Sequence, residues 1–244
     1  MDNPKEADRP KLLVLVRHAE SERNQLKKSN SYLPDDESAA IIRGVPDHLV
    51  PITDRGARQA RTIGPHLRQH YGIFDVVYHS GYLRTKQTMD AALEAYTPEE
   101  LSQMKIRESH LVRERFPGYA YNMTDAEVER NFPYIKEHWE RYGPFYGVPP
   151  GGKSQCDVCG DVYTFIGLLR RVRAGKNVCV FTHGGTIRAF RYNLERWNAT
   201  KYMELYMADP PENCGVTAYR LNEDTGNLDL TVYNQVFWSQ SAVA

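Results

Sequence analysis

The sequence predicts an α/β fold with a mostly parallel central sheet and helices on both faces. Short continuous apolar runs, at residues 11–16, 74–78 and 177–182, are typical of strands buried on both faces. Helical patterns of about 10–20 residues alternate with these runs, which favours parallel strands joined by helical crossovers. We therefore expect three layers: helices, sheet and helices.

The remaining segments predict the smaller elements. A short third strand is expected within 101–112, and Thr124 with Glu127 forms a capping box that begins a helix. Two further runs read as a closing hairpin. Other expected elements are helices at 54–70, 83–96, 155–174 and 186–197, a helix start at Pro133, a loop at 141–152, and hairpin strands at 215–221 and 228–233.

The chain is expected to form one domain over residues 11–244, after a disordered lead-in at 1–10. Residues 117–150 are expected to form a small insertion of helices and loops over the substrate side. Residues 27–52 are long, polar and irregular, and a loop of that length is more often functional than idle.

Composition excludes several classes of function. Lys+Arg and Asp+Glu both number 31 in 244 residues, so bulk charge gives no reason to expect nucleic-acid or membrane binding. No apolar run approaches the roughly 20 residues that span a bilayer. The amino-terminal residues lack the apolar segment of a signal peptide. We expect a cytoplasmic protein that acts on a small molecule, and the sequence leaves a homodimer open.

Four cysteines are too few for a disulfide framework in this chain. Cys156 and Cys159 form a C-x-x-C pair in a predicted helix, but Cys179 and Cys214 are isolated, so a zinc site would lack ligands. We interpret all four as ordinary thiols. Neither a metal nor a cofactor is expected.

Polar, cationic residues follow three of the predicted strands. Arg17-His18 follows the first, His79-Ser80 the second with Arg84 beyond, and His183-Gly184-Gly185 the last parallel candidate. Ligands of open α/β sheets bind outside the carboxyl ends of strands. Each element alone has an ordinary structural explanation, such as a core or rim histidine at position 79. Together they predict a site for a small, highly charged anion, with the helix after His183 adding free amides.

Residues 15–24, LVRHAESERN, resemble the R-H-G-E-S-x-x-N signature of the histidine phosphatase superfamily, which has the phosphoglycerate-mutase-like fold. Ala19 in place of glycine is the one departure. Further segments match in family order over residues 11–190. They lie at 53–60, 80–88, 114–118, 152–154 (where Lys153 replaces the usual glutamate) and 182–185.

The resemblance implies a role for each matching residue. His18 would attack phosphorus and form a phosphohistidine, while Arg17, Arg84 and His183 surround the transferring oxygens. His183 would be protonated when phosphate is bound.

The resemblance also implies a proton donor for the leaving group, and Glu114 is preferred over Glu108. The competing interpretation of Arg113-Glu114-Arg115 is a solvated charge run. The expected substrate-binding residues are Asn24, Arg23, Arg43, Gly44 and Gly184.

A phosphatase of phosphate monoesters is the favoured function, and the chain looks most like the broad-range acid phosphatases. Its tail, 237–244, is short and lacks the basic residues expected of a mutase tail. Aromatic residues in 117–150 suit either an apolar leaving group or a small helical core. The alternatives are a phosphoglycerate-type mutase or an inactive binding protein. A nucleotide-binding module is disfavoured because the chain has no phosphate-binding loop motif.

Overall fold

The computed structural model describes residues 8–27 and 32–238, and six strands of this part form one sheet. In chain order the strands are β1 (Leu12–Arg17), β2 (Val76–His79), β3 (Lys105–Glu108), β4 (Asn177–Thr182), β5 (Val216–Leu221) and β6 (Leu228–Gln235). They lie side by side in the order β3-β2-β4-β1-β5-β6. Strands β3, β2, β4 and β1 are parallel, whereas β5 and β6 are antiparallel to their neighbours. The predicted fold class is confirmed.

Helices cover both faces of this sheet. They are α1 (Glu22–Leu26), α2 (Asp36–Ile42), α3 (Asp54–Tyr71), α4 (Leu83–Leu93), α5 (Pro98–Gln103), α6 (Asp125–Asn131), α7 (Ile135–Tyr146), α8 (Gln155–Val172), α9 (Gly184–Leu194) and α10 (Ala199–Ala208). Within the described residues no helix is long and apolar enough to cross a membrane.

Strand β1 is buried on both faces, which explains why its sequence is a continuous apolar run. Val14 and Val16 pack into one core with side chains of α3 and α4, while Leu13 and Leu15 pack into the opposite core with α8 and α9. Successive side chains of a strand point to opposite faces, so both sets must be apolar. Burial of each such side chain stabilises the fold by about 1.5–3 kcal/mol.

Helix α3 begins close to the chain that leaves β1. The Thr53 hydroxyl caps it by accepting from the Gly56 amide. A Cβ at Gly56 would collide with the Glu20 carbonyl oxygen, so glycine is required for this approach. The close packing fixes the segment that follows β1, which carries His18, against the start of α3.

Some segments differ from the prediction. Within the loop expected at 27–52, α2 forms because Asp35 caps it and its apolar side packs around Ile42. Helix α7 continues into the loop expected at 141–152: Gly143 adopts a left-handed φ of 63° and Pro144 restarts the helix. Helix α10, capped by Asn198, was not predicted. The expected third strand is present as β3, an exposed edge strand.

The insertion expected at 117–150 contains α6 and α7 around a small core of its own, which includes Val128 and Ile135. Residues 1–7 of the expected lead-in lie outside the described residues, as do 28–31 of the long loop and 239–244 of the tail. Residues 8–10 are described, and the Arg9 carbonyl accepts from the Gly175 amide at 2.8 Å.

Candidate active site

The carboxyl ends of β1 and β4 bring two histidines together. These strands are parallel neighbours, with Arg17 opposite Thr182. His18 follows one and His183 follows the other, and their ring centroids are 5.2 Å apart. The His18 amide donates to the Thr182 carbonyl at 2.8 Å, which extends the strand pairing into the site.

His18 is held in one tautomer. Its Nδ1 lies 2.7 Å from the Ala19 carbonyl oxygen, and because a carbonyl only accepts, Nδ1 carries the proton. Burial, with Arg84 and Arg17 nearby, holds the pKa of His18 well below 6.5, so the free ring is neutral. Its Nε2 therefore has a free lone pair, and no residue of the described chain hydrogen-bonds to it. A neutral imidazole of this kind is a competent nucleophile.

Two arginines flank His18, and each is anchored by backbone carbonyls. Arg17 donates from one terminal nitrogen to the Pro211 carbonyl at 2.6 Å, and its buried Nε has no partner in the described structure. Arg84 donates to the carbonyl of Asp47 at 2.6 Å and to its carboxylate at 3.1 Å. Both side chains of this ion pair are buried. Asp47 belongs to the long loop, and nothing in its local sequence marks it as an arginine partner.

His183 is fully buried beside His18. Its Nε2 lies 2.8 Å from the Ser80 hydroxyl oxygen, whereas its Nδ1 has no partner among the described residues. Burial, then Arg84, His18 and Arg17, hold the pKa of His183 well below 6.5. We call Arg17, His18, Arg84 and His183 the inner cage.

His79 does not join the inner cage. Its Nδ1 accepts from the Gly81 amide at 3.1 Å, and Glu108 is its nearest charged neighbour. His79 is buried and does not line the cleft, as expected of an ordinary core histidine.

The two candidate proton donors lie in different places. Glu114 lines the cleft and accepts from the amides of Arg115, at 2.8 Å, and Gly185, at 3.3 Å. A Cβ at Gly185 would collide with Glu114 Oε1, so glycine is what admits the carboxylate here. Glu108 is on the edge strand β3, where it pairs with Arg113 on the exposed surface.

Three of the five predicted substrate-binding residues line the cleft: Asn24, Arg23 and Gly184. The Asn24 side-chain oxygen accepts from Ser21 and Asn213, which leaves its amide nitrogen free of partners in the described chain. Gly184 begins α9, whose amino terminus faces the inner cage.

The other two predicted binding residues are elsewhere. Arg43 is exposed and paired with Glu127, and Gly44 follows it in a turn with open space around its Cα. Neither is among the residues that line the cleft. The geometry therefore gives no support to substrate binding by Arg43 and Gly44, because both are exposed and lie outside the cleft.

The cleft has a volume of about 1200 Å³ and is lined by the predicted Arg23 together with cations for which no role was predicted, among them Arg115 and Arg188. Arg23, Arg115 and Arg188 lie over the rings of Tyr121, Trp139 and Tyr206 at 4.3, 5.3 and 4.8 Å. None of the three has a carboxylate partner in the described part of the chain, unlike surface arginines such as Arg61, which pairs with Glu94.

Lys27 belongs to the same surface. Burial, with Arg23 and Arg115 nearby, lowers its pKa to about 8. We call Arg23, Lys27, Arg115 and Arg188 the outer wall. Among the aromatic residues of 117–150, Trp139 is the one that lines the cleft. Phe145, in contrast, is in the hydrophobic core. Among the described residues no group of three His, Cys, Asp or Glu side chains could hold a metal ion.

Comparison with known proteins agrees with this architecture. Residues 13–234 match the histidine phosphatase superfamily (branch 1). A 2,3-bisphosphoglycerate-dependent phosphoglycerate mutase of Methylobacterium radiotolerans is 31% identical over 92% of this chain and 96% of its own. A phosphoglycerate mutase-like protein of Arabidopsis thaliana is 26% identical over 80% of this chain and 70% of its own.

Solved structures share the fold at lower identity. The α-ribazole phosphatase of Shigella flexneri superposes with a TM-score of 0.69 at 19% identity, covering 92% of this chain and 96% of that one. A mycobacterial glucosyl-3-phosphoglycerate phosphatase gives 0.66 at 18% identity, covering 93% and 98%. On the sequence match and the shared fold, the chain belongs to the histidine phosphatase superfamily.

Proposed function

We propose that this protein hydrolyses small phosphate monoesters through a phosphohistidine on His18. One observation carries the proposal: the unprotonated Nε2 of His18 has no partner in the described chain and lies among Arg17, Arg84 and His183. A nucleophile without a positive charge, surrounded by fixed cations, suits an incoming phosphoryl group.

The first half of the reaction forms the intermediate. Nε2 attacks phosphorus, the bond from phosphorus to the ester oxygen breaks, and Glu114 gives a proton to the departing alkoxide. The inner cage offsets the charge on the phosphoryl oxygens. The Nδ1–H of His18 keeps its hydrogen bond to the Ala19 carbonyl, which stabilises the positive charge that the ring acquires.

The second half reverses these roles. Ionised Glu114 takes a proton from water, the water oxygen attacks phosphorus, and the bond from Nε2 to phosphorus breaks to release inorganic phosphate. Glu114 suits both steps because it lines the cleft beside the inner cage, whereas Glu108 lies on the exposed strand β3.

A mutase is the second candidate, and the phosphoglycerate mutase of Methylobacterium radiotolerans favours it. A mutase must keep water from its phosphohistidine. A cleft of about 1200 Å³ exceeds the roughly 300–1,000 Å³ typical of small-molecule sites, which leaves room for water beside a small substrate. This room supports the hydrolase.

A panel of aryl, sugar and glycerate phosphates, assayed without added metal, tests the proposal. We expect phosphate release from several esters and a loss of about 10⁴-fold or more in His18→Ala. His110→Ala, which removes an exposed histidine outside the cleft, is the matched control. Full activity in His18→Ala would refute the mechanism. Rapid interconversion of phosphoglycerates in the presence of 2,3-bisphosphoglycerate would identify a mutase instead.

A further inference from the structure

Ser80 has no role in the mechanism above, yet it makes the one side-chain hydrogen bond to His183 in the described structure. It is fully buried between β2 and α4. Its hydroxyl oxygen lies 2.8 Å from His183 Nε2 and 2.9 Å from the Thr85 hydroxyl, and it accepts from the Tyr82 amide at 3.3 Å.

The number of available protons fixes the direction of each hydrogen bond from the Tyr82 carbonyl through Thr85 and Ser80 to His183. The Thr85 hydroxyl lies 2.8 Å from the Tyr82 carbonyl oxygen, which only accepts, so Thr85 donates its single proton there. Thr85 must then accept from Ser80. Since Ser80 has also used its single proton, its oxygen accepts from His183, and the proton on the ring is on Nε2.

We propose that Ser80 and Thr85 are positioning residues that hold His183 as the Nε2–H tautomer and leave Nδ1 to meet the substrate phosphate. Nδ1 is buried without a partner in the described structure, and no other atom of the ring can take a further proton. When a phosphate monoanion binds, its proton passes to Nδ1, and the bound pair becomes an imidazolium and a dianion. The role in phosphate binding rests on the proposed function, whereas the tautomer does not.

This arrangement prepares the ring for its charged state. An imidazolium donates from both nitrogens, and Ser80 is already oriented to accept from Nε2, so no group need turn when the phosphate arrives. Around the ring, Arg84, His18 and Arg17 all disfavour the second proton, and the Tyr82 ring lies 5.0 Å away. The ring therefore charges only when an anion is present.

The tautomer can be measured directly in the free enzyme. In ¹⁵N-histidine spectra, protonated and unprotonated ring nitrogens have well-separated shifts. His18, protonated on Nδ1, provides the opposite pattern in the same sample. We expect His183 to be protonated on Nε2 in the wild type and in Thr85→Ser, which keeps the hydroxyl.

Thr85→Val is the decisive variant, because residue 85 makes no hydrogen bond to His183 and acts on it only through Ser80. Removing the hydroxyl frees the Ser80 proton to turn towards Nε2, so the ring should shift towards the Nδ1–H form. An Nδ1–H ring in the wild type, or identical His183 shifts in Thr85→Val and Thr85→Ser, would overturn the proposal. These readouts need no substrate, so they are independent of whether the protein is a phosphatase.

Calorimetric binding of inorganic phosphate tests the consequence. Ser80→Ala removes the acceptor of a charged donor, so affinity should fall by about tenfold to a hundredfold. The alkaline limit of phosphate binding should also move to lower pH, because the imidazolium is less stable. A merely structural defect would weaken binding equally at all pH values. Unchanged affinity in a folded Ser80→Ala protein would refute this role; if that variant does not fold, the two Thr85 variants decide.

Discussion

The inner cage and the outer wall both present cations to the cleft, but they are built differently. His18, Arg84 and His183 of the inner cage are nine-tenths or more buried, and Arg17 is at the end of strand β1. Members of the outer wall are only partly buried, and their arginines lie over aromatic rings without a carboxylate partner in the described chain. Buried groups held in one geometry suit a match to a transition state, whereas more exposed side chains suit variable leaving groups.

From this difference we propose that the inner cage carries the chemistry and that the outer wall selects among substrates. Changes in the inner cage should lower turnover for every ester. Changes in the outer wall should raise KM for acidic esters only. Glu114 lies between the two regions, because it touches Gly185 beside the inner cage and its neighbour Arg115 belongs to the outer wall.

Glu114→Gln should produce the largest selective effect. If Glu114 protonates the departing oxygen, the variant should lose about 10²–10⁴-fold in kcat for alkyl phosphates. It should lose much less for nitrophenyl phosphate, whose leaving group needs no proton. Steady-state kinetics with a series of esters measures how steeply log kcat depends on the pKa of the leaving alcohol. Glu108→Gln is the control, and a steeper dependence in that variant than in Glu114→Gln would assign the acid to Glu108.

Arg17→Lys compared with Arg23→Lys separates the two regions. Arg17→Lys keeps the charge but loses the planar fork within the inner cage, so kcat/KM should fall by about 10²–10³-fold for all esters. Arg23 already donates to the Tyr121 carbonyl and lies over its ring, so Arg23→Lys should cost less than about tenfold. Equal losses in the two variants would contradict the division between inner cage and outer wall.

Because its two histidines are buried, the inner cage should make the stability of the fold depend on pH in the acidic range. The outer wall should not. The pKa values of His18 and His183 lie well below 6.5 in the folded protein, chiefly through burial and then Arg84. Unfolded rings bind protons below about pH 6.5 while folded rings do not, so stability falls as pH drops through that value.

Well below pH 6.5, the free energy of unfolding should fall by up to about 1.4 kcal/mol per pH unit for each ring. Urea unfolding between about pH 5 and 7 measures it. His18→Gln should remove one ring's share of the slope. His110→Gln, at an exposed position, should leave the slope unchanged. The same slope in wild type and His18→Gln would show that His18 protonates in the folded state.

The same contrast explains what the sequence could predict. The inner cage follows apolar runs such as that of β1, and parallel strands place their carboxyl ends together, so local patterns sufficed for Arg17, His18 and His183. In the outer wall, Arg115 and Arg188 depend on tertiary contacts with aromatic rings of α7 and α10. No local pattern links Arg115 to Trp139. Asp47 was not predicted as a site residue for the same reason, since only the folded loop brings it to Arg84.

The smallest expected effect concerns Lys27 in the outer wall. Burial and the neighbouring Arg23 and Arg115 lower its pKa to about 8, so it is charged below that pH and loses its charge above it. For esters with a second acidic group, kcat/KM, which reports groups of the free enzyme, should decline as pH rises through about 8. Lys27→Met should remove that decline and lower kcat/KM by about three- to tenfold at neutral pH.

Aryl phosphates without an acidic substituent provide the internal comparison, because they give Lys27 no partner. Lys153→Met, which removes a surface lysine paired with Asp161, is the matched variant and should change neither profile. A loss for acidic and neutral esters alike would mean that Lys27 supports the inner cage rather than selecting the leaving group. Lys27 would then belong functionally with the inner cage, because its charge would stabilise the reaction of every ester rather than the binding of acidic ones.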